Sequence, residues 1–283
     1  MSRAAEGVFD GAGGVSIFWR TSAPDGPPRG AVLLSHGYAE HLGRYRDWVA
    51  HLNDRGFAVA ALDHRGHGRS GGARGHCGDF AELVSDLRRL ADRAEEWWPG
   101  VPRALFGHSM GGLIGYLYLL RHPETVRCGA LTAPALRVRP EAAGWLFQIA
   151  LVLGRLIPRL PLTTGLDQAA LSRDPAVGEA YVADPLVHRR ATTGFLCAVT
   201  AAQATVQAEA DRVAVPLLVL QGDADRLVDP DAVRDLGPRL RAPSEVVMLP
   251  GYYHELLNEP VAERAQVVRY LDRWFDRWLG DLG

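Results

Sequence analysis

Lysine is missing altogether: all 31 cationic side chains of this 283-residue chain are arginine. Schiff-base catalysis and the phosphate-loop lysine are therefore excluded. Cysteine is scarce. Cys77, Cys128 and Cys197 lie far apart and form no C-x-x-C pair, which argues against a disulfide framework or zinc site and fits reduced thiols in a cytosolic protein. Excess charge of one sign is also lacking. The net charge is −2, whereas a nucleic-acid binder normally carries a strong basic excess. No apolar run is long enough to span a bilayer, because the least polar stretch, Ala142 to Leu153, is stopped by Arg155 and Pro158. The opening residues Met1-Ser2-Arg3-Ala4-Ala5-Glu6 have no apolar signal core, so a cytoplasmic protein is expected.

What is present is apolar material in short blocks. Hydrophobic residues make up 47% of the chain, enough for one large domain core with an insertion. Val8-Phe9 and Val15 to Trp19 flank a glycine-rich turn and predict a hairpin. Ala31 to Leu34, Phe57 to Leu62, Arg103 to Phe106, Cys128 to Leu131, Pro216 to Leu220 and Glu245 to Leu249 predict buried strands. Between them, Tyr45 to Arg55, Phe80 to Trp98, Gly112 to Leu120, Asp231 to Gly237 and Val261 to Leu279 have helical spacing. This alternation predicts an α/β fold with a mostly parallel sheet covered on both faces. Residues 134–211 break the rhythm; they are helical in pattern, apolar and proline-interrupted. They read as a helical cap inserted into a core formed by residues 1–133 and 212–283.

Gly107-His108-Ser109-Met110-Gly111-Gly112 sits where a strand turns into a helix. Alone, a G-x-S-x-G pattern is equally a glycine-rich turn with a serine cap. In this context the glycines permit a tight turn that lifts the Ser109 hydroxyl above the sheet. The first helical N–H groups, that of Met110 among them, are left unpaired. His36-Gly37 follows another buried strand, so the Tyr38 N–H is the second oxyanion donor expected. Asp223, Asp225 and Asp229 all follow the Pro216 strand, and spacing does not choose among them. His254 follows the last strand, giving the order Ser…Asp…His; its ordinary pKa near 6.5 suits proton exchange at neutral pH.

Taken together, the chain resembles the α/β-hydrolase superfamily, in particular its monoacylglycerol lipase/lysophospholipase group. The residues that carry the resemblance are His36-Gly37-Tyr38-Ala39-Glu40-His41 with Arg44-Tyr45, Asp63-His64-Arg65-Gly66-His67-Gly68-Arg69-Ser70, the Ser109 turn, Asp223-Ala224-Asp225-Arg226-Leu227-Val228 and Tyr253-His254-Glu255. The resemblance implies Asp225 as the acid. It also implies a structural turn, rather than a metal site, at His64 and His67. The expected reaction is hydrolysis of a single-chain lipid ester, a monoacylglycerol or lysophospholipid, by Ser109, His254 and Asp225, with no cofactor or metal.

Trp145, Phe147 and Leu151 in the cap are candidates to line an acyl channel, and Glu40 and Arg44 to recognise a polar head group. An apolar cap could also touch a membrane surface transiently. Other readings on the same scaffold are a thioesterase, a carbon–carbon bond hydrolase, a cofactor-free haloperoxidase or a non-catalytic binding protein. Haloalkane dehalogenases and epoxide hydrolases are disfavoured, because their nucleophile position holds aspartate.

Overall fold

The computed structural model describes residues 3–137, 144–163 and 166–280. An antiparallel hairpin, β1 (Arg3–Asp10) and β2 (Ser16–Ala23), opens the chain. Then come β3 (Gly30–Ser35), α1 (Arg46–Asp54), β4 (Phe57–Leu62), α2 (Phe80–Trp97), β5 (Arg103–His108), α3 (Met110–Arg121) and β6 (Cys128–Thr132). The inserted region holds α4 (Gly144–Leu156), β7 (Pro161–Thr163), α5 (Pro175–Ala183), β8 (Arg190–Thr192) and α6 (Thr193–Glu209). The sheet resumes with β9 (Leu217–Gly222), α7 (Pro230–Leu236), β10 (Ser244–Leu249) and α8 (Val261–Leu279).

Eight strands form one sheet in the order β1-β2-β4-β3-β5-β6-β9-β10. From β4 to β10 every neighbouring pair is parallel. The chain leaves β3 toward β4 on one side, then crosses to β5 on the other. That reversal opens a crevice at the carboxyl ends of β3 and β5, where open α/β sheets hold their sites.

Burial on both faces explains the uninterrupted apolar runs. Along β4, Phe57, Val59 and Ala61 pack on one face with α1 and α8, while Ala60 and Leu62 pack on the other with α2 and α3. Successive side chains of a strand point to opposite faces, so both sets must be apolar when helices cover both. The covering helices follow from spacing and caps. In α2 the Asp79 carboxylate accepts the Ala81 N–H at the N-terminus, and Leu83, Leu87, Leu90 and Ala94 form the buried stripe.

Residues 134–211 also contain something their helical pattern did not show. β7 and β8 pair into a small antiparallel ribbon. The closing helix α6 inserts Ala198, Val199, Ala202 and Val206 into the apolar cluster of α2 and α3. The inserted region is thus tied to the sheet domain by packing as well as by its two chain ends.

Candidate active site

Ser109 stands between β5 and α3 with φ 53° and ψ −117°, a backbone state that costs a non-glycine residue about 1–3 kcal/mol. Surrounding bonds hold it there. Its N–H donates to Thr132 O (3.0 Å), and its carbonyl accepts from Leu113 (3.1 Å) and Ala135 (3.0 Å). The neighbouring glycines are sterically required. A Cβ on Gly111 would lie 2.1 Å from Ser35 O, and one on Gly107 would lie 2.4 Å from Gly111 O. Only bare backbone lets α3 start against the end of β3.

Loops from three strands then meet. His254 Nε2 lies 2.8 Å from Ser109 Oγ, and His254 Nδ1 lies 2.7 Å from Asp225 Oδ2. Of the three aspartates left open by spacing, Asp225 is the one paired with His254. Asp223 instead accepts the Gly251 N–H, and Asp229 caps α7. The other Asp225 oxygen takes the Leu227 and Val228 N–H groups at 2.8 and 3.0 Å. Burial pushes the Asp225 carboxyl up, but His254 and these donors outweigh it, so the group is held below its usual range. His254 mirrors this: burial pulls it down, Asp225 more than compensates, and the net shift is upward. The imidazole is thereby a stronger base than a free histidine.

The loop after β3 lies beside Ser109, since a Cβ on Gly37 would stand 3.3 Å from the Ser109 Cβ. Glu40 takes the Gly37 N–H at 2.5 Å, leaving Tyr38 as the next backbone donor of the loop. Across from it, Met110 opens α3, with its N–H outside the helical ladder. His36 donates from Nδ1 to Gly37 O and accepts the His64 N–H at Nε2, which fixes its tautomer as neutral.

Glu40 and Arg44 are drawn into a buried ionic cluster that the sequence did not reveal. Arg44 reaches Glu40 at 2.8 Å and grips both oxygens of Glu255 at 2.6 and 2.9 Å. The Tyr45 hydroxyl adds a bond to Glu40. A cavity of about 320 Å³ opens beside this cluster, lined by Glu40, Arg44, His108, Glu255 and the facing sides of α1 and α8. Ser109 does not line it. Glu255 stood in a recognised motif, yet nothing in its spacing identified Arg44 as its partner.

The inserted region closes over the loop after β3. His41 pairs with Asp184, His188 N–H donates to Ala39 O, and the Tyr38 hydroxyl donates to Arg190 O. The Tyr38 ring stacks on Phe195 of α6 at 4.8 Å. Phe147 and Leu151 are half-buried on α4, whereas the Trp145 side chain lies outside the described residues. His64 and His67 are engaged with Ser35 and the Arg65 carbonyl.

A serine in a strained turn, hydrogen-bonded through histidine to a buried carboxylate at the switch point of a parallel sheet, defines the class: an α/β-hydrolase-fold serine hydrolase. More narrowly, the chain belongs to the serine aminopeptidase S33 family, whose pattern matches residues 26–261. A monoacylglycerol lipase of Mycolicibacterium smegmatis is 42% identical over 261 residues, covering 92% of this chain and 93% of that protein. The monoglyceride lipase of Mus musculus is 33% identical over 275 residues, covering 96% and 90%. Among solved structures, the Paleococcus ferrophilus monoacylglycerol lipase superposes with a TM-score of 0.82 at 32% identity, over 97% of this chain and 98% of that one.

Proposed function

We propose that the protein is a carboxylic ester hydrolase of single-chain lipids, with monoacylglycerol as the favoured substrate and lysophospholipid as the neighbouring one. The observation that carries the reading is the continuous hydrogen-bonded chain from Ser109 through His254 to Asp225. The lipase relatives supply the substrate class.

In this mechanism Ser109 Oγ attacks the ester carbonyl while His254 Nε2 takes its proton. Asp225 keeps the Nδ1–H tautomer and stabilises the imidazolium. The Tyr38 and Met110 N–H groups hold the oxyanion, each donor worth roughly 10²–10³ in rate. His254 returns the proton to the leaving alcohol, and water then releases the fatty acid from Ser109.

Residues 134–211 act as the cap. Phe147, Leu151 and Trp145 contact the acyl chain, where each buried CH₂ contributes about 0.8 kcal/mol. Glu40 and Arg44 shape the polar end through the loop after β3, since Glu40 holds the Gly37 N–H and Arg44 ties Glu40 to Glu255. Ile149, Val152, Leu156 and Ile157 leave about half or more of their surface open along α4 and its end, beside Arg155 and Arg159. Such a stripe supports transient contact with a lipid surface. Among the described residues no helix is long and apolar enough to cross a membrane.

The test is labelling and turnover together. Ser109→Ala should lose both fluorophosphonate labelling and hydrolysis of monoacylglycerols. Retained hydrolysis would sink the assignment, and turnover of amino-acid anilides but not esters would redirect it toward peptides.

A further inference from the structure

Gln221 is the one polar side chain in β9, whose six residues are all buried, and it is itself fully shielded from solvent. Its Nε2 lies 3.0 Å from Gly222 O and 3.0 Å from Asp225 Oδ2. Two acceptors at that end fix which end of the amide carries the nitrogen. The opposite atom, Oε1, is buried and accepts no hydrogen bond from the described residues. A buried acceptor without a donor is destabilising, a cost set against the two bonds that Nε2 makes.

The Asp225 carboxylate shows what the amide does. Oδ1 is held by two backbone N–H groups, whereas Oδ2 faces His254, the group that Asp225 must orient. Without another donor, only the moving partner would restrain Oδ2. Gln221 supplies that donor from β9, a buried strand paired on both sides in the sheet.

We propose that Gln221 is a positioning residue for ester hydrolysis, holding Asp225 Oδ2 in line with His254 Nδ1 while the imidazole gains and returns its proton. The inference rests on the Ser109–His254–Asp225 reading above. It also makes Gln221 a moderator of that pair. An N–H shared by Oδ2 withdraws negative charge from the oxygen, so its removal strengthens the pull on the His254 proton. The other groups facing His254 are His108, with ring centroids 4.9 Å apart, and the charges of Glu40 and Glu255. None of them replaces a donor on Oδ2.

The experiment compares wild type, Gln221→Met, Gln221→Leu and Ser109→Ala on one soluble ester across pH. Gln221→Met should lower the melting temperature by no more than a few degrees, since Gly222 O and Asp225 Oδ2 each keep another donor, and leave KM within about twofold. Its kcat should fall roughly ten- to hundredfold, the range of one hydrogen bond to a charged group and well short of the ~10⁴ lost with the triad acid. The acid limb of kcat/KM should move to higher pH. Gln221→Leu, which also lacks the donor, should move that limb in the same direction. If Gln221→Met fails to fold, the acid limb of Gln221→Leu decides alone. Wild-type pH profiles in the folded variants, with Ser109→Ala inactive, would overturn the role of Gln221. An active Ser109→Ala would instead overturn the triad reading beneath it.

Discussion

His41 Nε2 and Asp184 Oδ2 are 2.8 Å apart, so a side chain of the loop after β3 is paired with one from the inserted region. The His188 N–H bond to Ala39 O repeats the link two residues earlier in the loop. The segment between β6 and β9 and the loop that carries the proposed oxyanion donor at Tyr38 therefore form one hydrogen-bonded unit. Asp184→Ala should lower kcat/KM about two- to tenfold, the range of one net hydrogen bond, and change the melting temperature little. Steady-state kinetics beside a thermal melt checks this.

Arg44 lies between Glu40 and Glu255, and all three side chains are nearly excluded from solvent. Arg44→Ala leaves two buried carboxylates without their cation. Breaking such a pair typically destabilises a protein by about 3–5 kcal/mol, readable as a lower urea midpoint. Because Glu40 also anchors the Gly37 N–H, kcat should fall in whatever fraction remains folded.

The pH dependence has opposite signs for two histidines. His254 is raised above 6.5, with Asp225 outweighing the effect of burial. As base it must be neutral, so kcat/KM should fall on the acid side with a midpoint above 6.5, and Asp225→Asn should lower that midpoint. Its stabilising contribution is complete below 6.5 and is lost as pH rises through its folded pKa. Burial instead pulls His108 down from 6.5 to about 4. Here the unfolded state binds the extra proton, so stability on the order of 3 kcal/mol is present above 6.5 and is lost toward pH 4. His36, His64 and His67, likewise lowered mainly by burial, add to the same loss. Urea midpoints between pH 4 and 8 should drop on the acid side, and His108→Gln should flatten part of that slope.

Ile149 and Val152 are about half exposed on α4. Replacing both with glutamate should cut binding to anionic lipid vesicles at least tenfold, given about 1.5–3 kcal/mol per buried aliphatic side chain. Turnover of a short water-soluble ester should stay within about twofold. Equal loss on both substrates would place the two residues in the channel rather than on the surface.

Strand and helix content was legible because both faces of the sheet are covered, which makes each strand an unbroken apolar run such as Phe57 to Leu62. The Ser109 turn was legible because close backbone approach forces glycine at Gly107 and Gly111. The order Ser109, Asp225, His254 is a property of the chain, and so are the missing lysines and the balanced charge. Spacing left Asp223, Asp225 and Asp229 equivalent, and the resemblance alone preferred one. Only the tertiary structure sets Asp225 against His254 with Gln221 behind it, joins Arg44 to Glu255 across more than two hundred residues, and docks Asp184 on His41. Those contacts depend on where loops from separate strands end in space, and hydrogen bonds between such loops leave no periodic trace along the chain.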